Sequence, residues 1–432
     1  MCTLRIGTAF LLLASVAAAE VHSLTLAQAL EIAARQNPEV ALARLDAQRA
    51  EQGVKIALDP FRPKVYAGSG LAYTYGYPNS IDGNAPSLVQ VRTDMALYNR
   101  PKSYQVAAAR EMARGSEFAS QAKAEDVAYQ AADLFLLATQ ARHQDETIAG
   151  QIPGLQKVVD SMSAAVSEGS ELPLELKRAR VNMAISETRL SSLRLDRDYY
   201  EMMLAVVLGY PATDRVKPVE SDLSLTPAPP SEDEAVEIAL RNNREMRQMQ
   251  SNLLAKELDV RSYKASRLPQ VDLVAQYALF AKYNYVNYFQ KFQRNNFQIG
   301  ASIAFPLLVG PASSGLALQS YTDMQKIRIQ MDQVRNRILS ETRRSYEQWQ
   351  KAQKMRDLSR MQLDLAREEV SVLLAQNSEG RVPIARVEQA RLEEGDHWID
   401  FYNAEAQVAR TKFAILRQTG TLLAAVRGQK MP

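Results

Sequence analysis

The chain has 432 residues, 46% hydrophobic and 23% charged, with 52 Lys and Arg against 49 Asp and Glu for a formal net charge of +3. That much apolar material supports ordered packing and excludes general disorder; the even mixture of both signs excludes the basic footprint of a nucleic-acid binder. One cysteine, Cys2, and three scattered histidines, His22, His143 and His397, leave no disulfide framework and no metal-ligand spacing.

Residues 1–19 read as a secretory signal peptide. Arg5 supplies the positive start, residues 6–16 form an apolar run too short to span as a helix, and Ala17, Ala18 and Ala19 offer small residues for cleavage before Glu20. Cleavage removes Arg5 and Cys2, leaving 51 − 49 = +2 and no cysteine. Cys2 precedes the apolar run, so no lipid anchor is expected. No later stretch reaches 18 consecutive apolar residues, so a membrane role would fall to strands.

A first repeat is expected over 20–210. Helix-forming residues dominate 26–58, and Thr25 with Gln28 makes a capping box. Strands follow at about 63–77 and 87–98. A long helix then runs from Pro101 toward Glu168, with a kink or break expected at Gly150 to Gly154, where Pro153 sits and which could serve as a hinge. After a turn a helix returns toward Gly209. Residues 211–230, with Pro211, Pro218, Pro227, Pro229 and Pro230, read as a connector.

The second repeat, 231–420, is visible by self-comparison. Residues 29–65 align without gaps on 235–271, an offset of 235 − 29 = 206, with 11 of 37 positions identical. Farther on, Ser167-Glu168-Gly169 matches Ser378-Glu379-Gly380 at an offset of 211, so five residues are inserted between the blocks. Ser231 and Glu234 repeat the capping box, a helix is expected over 232–266, and strands at about 269–280 and 296–305. Residues 316–379 hold no Gly or Pro, and Met324, Ile327, Met331, Val334 and Ile338 alternate in steps of three and four, a coiled-coil seam. Those 64 residues predict a rod of about 96 Å. Gly380 and Pro383 end it, a helix returns to about Thr419, and 421–432 is a tail.

The four strand segments alternate with period two. Val65 and Ala67, then Val89, Val91, Met95 and Leu97, then Val271, Leu273 and Tyr277, then Phe297, Ile299 and Ile303 oppose polar or small residues. Each segment is about ten residues, the length a tilted membrane strand needs. Nine of the 18 tyrosines lie in 62–98 and 268–306, as an aromatic girdle would place them. Four strands cannot close a barrel, and open edges in hydrocarbon cost several kcal/mol per backbone group. Several copies must therefore complete the sheet, with residues 78–86 and 281–296 as its outer hairpin ends.

With its Leu24-Thr25-Leu26-Ala27-Gln28-Ala29-Leu30 and Asn37-Pro38, the related block at 233–245, Phe305-Pro306-Leu307, and Gly380 spaced from Ala390-Arg391, the chain resembles the TolC-like outer-membrane efflux proteins. The resemblance implies a mainly α fold with a β-barrel part, built from two tandem helix–β-hairpin–long-helix-hairpin repeats. It implies a homotrimer, a 12-stranded outer-membrane barrel continued by a periplasmic α-helical barrel, serving as passive exit duct for a periplasmic adaptor and an inner-membrane pump in efflux or type I secretion. By the same likeness, Glu168, Gly169, Ser170, Glu171 and Leu172 with Glu379, Gly380, Arg381, Val382 and Pro383 form the tip that meets the adaptor. Family members often carry aspartate where this chain has Arg386 and Gln389; the first copy has Glu175 and Arg178. A mixed-charge pore entrance is therefore expected, with Glu175 and Arg386 near one another.

No catalytic constellation, cofactor site or metal site is expected. Glu393, Glu394 and His397 lack a second histidine, and Gly68-Ser69-Gly70 is followed by no helix. The competing reading is a soluble periplasmic coiled-coil adaptor or scaffold, which would need a water-facing sheet.

Overall fold

The structure, a computed structural model, describes residues 20–70, 87–219, 231–280, 295–307 and 310–426. The expected signal peptide, strand residues 71–77, the outer hairpin residues 78–86 and 281–294, connector residues 220–230 and tail residues 427–432 lie outside the described residues.

Chain order is β1 (Val21–Leu24), α1 (Leu26–Gln36), α2 (Pro38–Leu58), β2 (Lys64–Gly70), β3 (Ser87–Tyr98), α3 (Arg100–Ser167), α4 (Pro173–Leu208), β4 (Arg215–Pro218), α5 (Glu232–Asn242), α6 (Arg244–Lys264), β5 (Gln270–Phe280), β6 (Asn295–Ala304), α7 (Pro311–Ser378), α8 (Ile384–Gln418) and α9 (Leu422–Val426). The 21-residue helices α2 and α6 start 206 residues apart, and the 68-residue helices α3 and α7 start 211 apart. Strands β3 and β6 end at Tyr98 and Ala304, still 206 apart. The five extra residues therefore lie at 305–310, six positions where the first copy has Asn99 alone (6 − 1 = 5).

Each expected first helix is in fact two. Pro38 disfavours helical backbone at the residue before it, and Asn37 leaves α1 with ψ 132°. Its Oδ1 then accepts from the amide of Glu39 at 2.8 Å, capping α2, while its Nδ2 donates to the Val207 carbonyl at 2.8 Å. Asn243 caps α6 in the same way, accepting from the Met246 amide at 3.1 Å, without a proline behind it.

Two compact units form, each drawing on both repeats. The first contains the described residues up to Val40, Ala124–Glu237, and the described residues from Glu341 onward. Its core takes Leu26, Ala29, Leu30 and Ala33 from one face of α1, the stripe Val127, Ala128, Ala131, Ala132, Phe135 and Leu136 of α3, Leu204 and Leu208 of α4, and Phe413 and Leu416 of α8. Alanine in that stripe lets the helices approach closely. The supposed connector holds β4, which pairs in parallel with β1 and buries Val216 in this core. Ion pairs tie the helices: Arg417 to Asp126 at 2.7 Å, Arg410 to Asp133, and Asp145 between Arg194 at 3.0 Å and Arg197 at 2.6 Å.

The second unit comprises Ala41–Lys123 and Ile238–Ser340. Here Met331, Val334 and Ile338 of the expected seam pack with Ala239, Leu240, Met246 and Met249 of α5 and α6. It also holds an antiparallel sheet in the order β2-β3-β5-β6. The two hairpins join through β3 and β5 into one open sheet.

The expected break in the first long helix is absent: α3 continues through Pro153. A proline removes one amide donor and crowds the preceding turn, but Ile148 and Leu155 are buried on either side and hold the flanking turns in place.

All four described residues with positive φ are glycines, Gly169, Gly209, Gly380 and Gly420, with φ from 64° to 88°. They form two pairs 211 residues apart, and each closes a long helix by a Schellman pattern. At the first, Gly169 donates to the Val166 carbonyl and Ser170 to that of Ala165; at the third, Gly380 donates to Asn377 and Arg381 to Gln376. A Cβ on Gly169 or Gly380 would meet nothing within 4 Å, whereas one on Gly209 would lie 2.8 Å from the Gln36 carbonyl oxygen. Gly380→Ala should thus cost only the left-handed backbone penalty of about 1–2 kcal/mol. Gly209→Ala should cost more, measured by denaturant unfolding of the two variants side by side.

Burial raises the pKa of Glu201 on α4, against the opposing pull of Arg197 and Lys217. The folded state therefore holds this proton more tightly than the unfolded one, so acidification through the raised value favours folding at this group. Glu201→Gln should be more stable than the parent at neutral pH, the gap narrowing as pH falls, read from melting midpoints across pH 4–8.

Candidate functional site: the open sheet and the helix-hairpin turns

Register decides which side chains share a face of the sheet. Val65 pairs with Thr93, Ala67 with Val91, Val91 with Tyr277, Met95 with Leu273, Val271 with Ile303, and Ala275 with Ile299. One face is thus apolar across all four strands. The opposite face carries Lys64 beside Asp94, Gly68 beside Gln90, Arg92 beside Gln276, Asp272 beside Ser302, and Gln276 beside Gln298. One assignment changes. The register shifts between Ala96 and Tyr98, so Tyr98 rather than Leu97 stands opposite Val271. A bulge of this kind inserts one residue and reverses the alternation.

The apolar face is uncovered. Val65 is 67% exposed, Ile299 68% and Ile303 59%. A contiguous exposed surface of branched and aromatic side chains marks an interaction or membrane site. Strands β2 and β6 are the edges, each paired on one side among the described residues. The chain by itself forms an open sheet, and no closed barrel is present among the described residues.

At the other candidate site lie the turns between α3 and α4 and between α7 and α8. Residues Glu168, Gly169, Ser170, Glu171 and Leu172 are all exposed, as are Glu379, Gly380, Arg381 and Pro383, with Val382 half-buried. Each turn is braced internally: the Ser170 hydroxyl donates to the Ala165 carbonyl at 2.9 Å, and Asn377 Nδ2 donates to the Val382 carbonyl at 2.8 Å. Leu172, 65% exposed, and Leu174 leave apolar surface beside the first turn.

The four entrance candidates sit one to two helical turns farther along. Within the chain, Glu175 pairs with Arg178 at 2.8 Å, three residues on along α4, the i, i+3 spacing of neighbours on one helix face. Arg386 reaches Glu369 of α7 at 3.8 Å and Gln389 at 3.5 Å, and Gln389 donates to Glu393 at 3.3 Å.

Sequence reading missed a close helix contact. Gly154 of α3 faces the buried Glu388 of α8, where a Cβ would fall 2.4 Å from the carboxylate; Gly395 of α8 faces Gln151, where a Cβ would fall 1.4 Å from Nε2. Of the two glycines around Pro153, Gly154 thus serves the approach of α8, while a Cβ on Gly150 would meet nothing within 4 Å. The signal was present as Gly395 within Glu393-Glu394-Gly395-Asp396-His397, a segment read only for metal chemistry. Because the Gln151 amide is the end of a flexible side chain beside an open recess, Gly395→Ala should be absorbed by its rotation at a cost below about 1 kcal/mol. Adding Gln151→Ala should then change stability additively, which a double-mutant cycle would show.

Solved outer-membrane channels share this fold. The chain is similar to the outer-membrane channel OprN at 16% identity, covering 91% of this chain and 89% of that one with a TM-score of 0.71. It is similar to the CmeC outer membrane channel of Campylobacter jejuni at 12% identity, covering 94% and 90%, TM-score 0.72, and to the outer membrane protein VceC of Vibrio cholerae at 15%, covering 91% and 96%, TM-score 0.71. Residues 235–421 match the family model described as outer membrane efflux protein, so this part of the chain is similar to the family named above. The match starts at Ala235, the counterpart of Ala29 in the first repeat. No curated protein sequence matches the chain.

Proposed function

We propose that the protein is the outer-membrane exit duct of a tripartite efflux or type I secretion assembly. The carrying observation is the open four-stranded sheet with a continuous apolar face and two unpaired edges. Three copies, at four strands each, supply the 12 strands of a closed barrel, in which β6 of one copy pairs with β2 of the next and every edge group finds a partner. The apolar face meets lipid and the polar face lines the lumen. The long helices continue the duct into the periplasm, and substrate passes without chemistry, driven by an inner-membrane pump.

In this reading the tip is formed by Glu168, Gly169, Ser170, Glu171 and Leu172 with Glu379, Gly380, Arg381, Val382 and Pro383. It meets a periplasmic adaptor, to which Leu172 and Leu174 offer apolar contacts. Glu175, Arg178, Arg386 and Gln389 border the entrance, where the mixture of signs replaces an acidic ring. The signal peptide directs export, and the barrel holds the protein in the membrane.

Purification in detergent with mass measurement should give three copies per particle, and the protein should sediment with outer membranes. A folded monomer in detergent-free buffer, or release by osmotic shock, would overturn the reading in favour of a soluble scaffold. In planar bilayers, Arg386→Asp should shift ion selectivity toward cations and strengthen block by divalent cations. Unchanged currents would remove these residues from the entrance.

A further inference from the structure

One end of the sheet, where β2 and β5 begin and β3 and β6 end, is ringed by cations. Arg62 and Lys64 lead into β2, Arg100 and Lys102 follow β3, and Lys264 and Arg267 lead into β5. In the stretches 59–64, 99–104, 264–269 and 305–310 the single carboxylate is Asp59, which is paired with Lys64. Arg100 is occupied by Tyr104, lying 4.7 Å over its ring and donating to its hydroxyl at 3.2 Å.

Lys264 and Arg267 differ. Both are exposed, and neither has an ion pair or hydrogen-bond partner among the described residues. They line a recess of about 520 Å³ between the end of α6 and the start of α7, together with Tyr263, Tyr321 and Leu318. Leu318 is exposed, and so are Leu268, next in the chain to Arg267, and Phe305 and Leu307, which follow β6. Two free cations thus meet apolar surface where the apolar face of the sheet ends. A cation–tyrosine rim at such a boundary matches the headgroup level of a bilayer, where basic side chains attract anionic lipid. A soluble anion would use the cations and leave the apolar flank idle.

We propose that this recess binds the phosphate of an anionic phospholipid in the leaflet at the helical end of the sheet. Lys264 and Arg267 contact the phosphate, and the acyl chains leave past Leu318. The inference rests on the outer-membrane reading above. Two interfacial cations, each contributing about fivefold, predict roughly 30-fold tighter binding of phosphatidylglycerol than of phosphatidylcholine.

The test uses the full-length protein in neutral detergent, titrated with phosphatidylglycerol, phosphatidylcholine or inorganic phosphate, with bound lipid counted by native mass spectrometry and the melting midpoint recorded. Phosphatidylglycerol alone should be retained and raise the midpoint, and Lys264→Gln/Arg267→Gln should lose most of the preference. The charge-matched control Lys354→Gln/Arg360→Gln should keep it. Equal retention of both lipids by the parent, an undiminished preference in the recess variant, or an equal effect of inorganic phosphate would overturn the proposal. If the double variant does not fold, the single Arg267→Gln must still lose about fivefold. Flotation with phosphatidylcholine vesicles separates the two readings: a protein that never floats sinks the exit-duct reading, whereas one that floats without lipid preference sinks this inference alone.

Discussion

The pairing of backbone amides and carbonyls along β2 and β6 is the constraint on which the architecture turns. Inside the sheet every strand has two neighbours; among the described residues β2 and β6 have one each. In water such rims invite aggregation, and in hydrocarbon they cost several kcal/mol per group. The exposed apolar face adds a second demand, since Val65, Ile299 and Ile303 gain nothing from water. Both demands are met together when identical sheets join edge to edge in lipid, and neither is met by one chain.

The helical unit meets a different demand. Its core is thin, built from alanine-rich stripes such as Ala128, Ala131 and Ala132 against α1. Thin cores bury little area per residue, so ion pairs and glycine contacts carry much of the specificity. Asp145 fixes α4 against α3 through two arginines, and Gly154 and Gly395 set how closely α8 can lie. Long helices packed this way keep one register because a slip would drive Gln151 into a side chain.

Much of this was legible in the residues. The glycines closing the long helices, the capping boxes and the alternation of the strands each rest on local chemistry, so the turn at Gly380 and the face of Val271 followed from spacing. Other features depended on partners distant in sequence. The split at Asn37 is stabilised by the Val207 carbonyl; β4 exists because β1 lies beside it. Persistence of α3 through Pro153 reflects packing, which overrides intrinsic propensity.

The unequal joints between sheet and helices have a mechanical consequence. Strand β3 passes into α3 through Asn99 alone, whose side chain accepts from the Lys102 amide and donates to Gln270. Between β6 and α7 lie six residues, and the start of α7 is tied sideways instead, through the Ser313 hydroxyl, which donates to the Tyr263 carbonyl of α6 at 3.0 Å. The first rod thus takes its bearing from the strand before it, the second from the helix alongside.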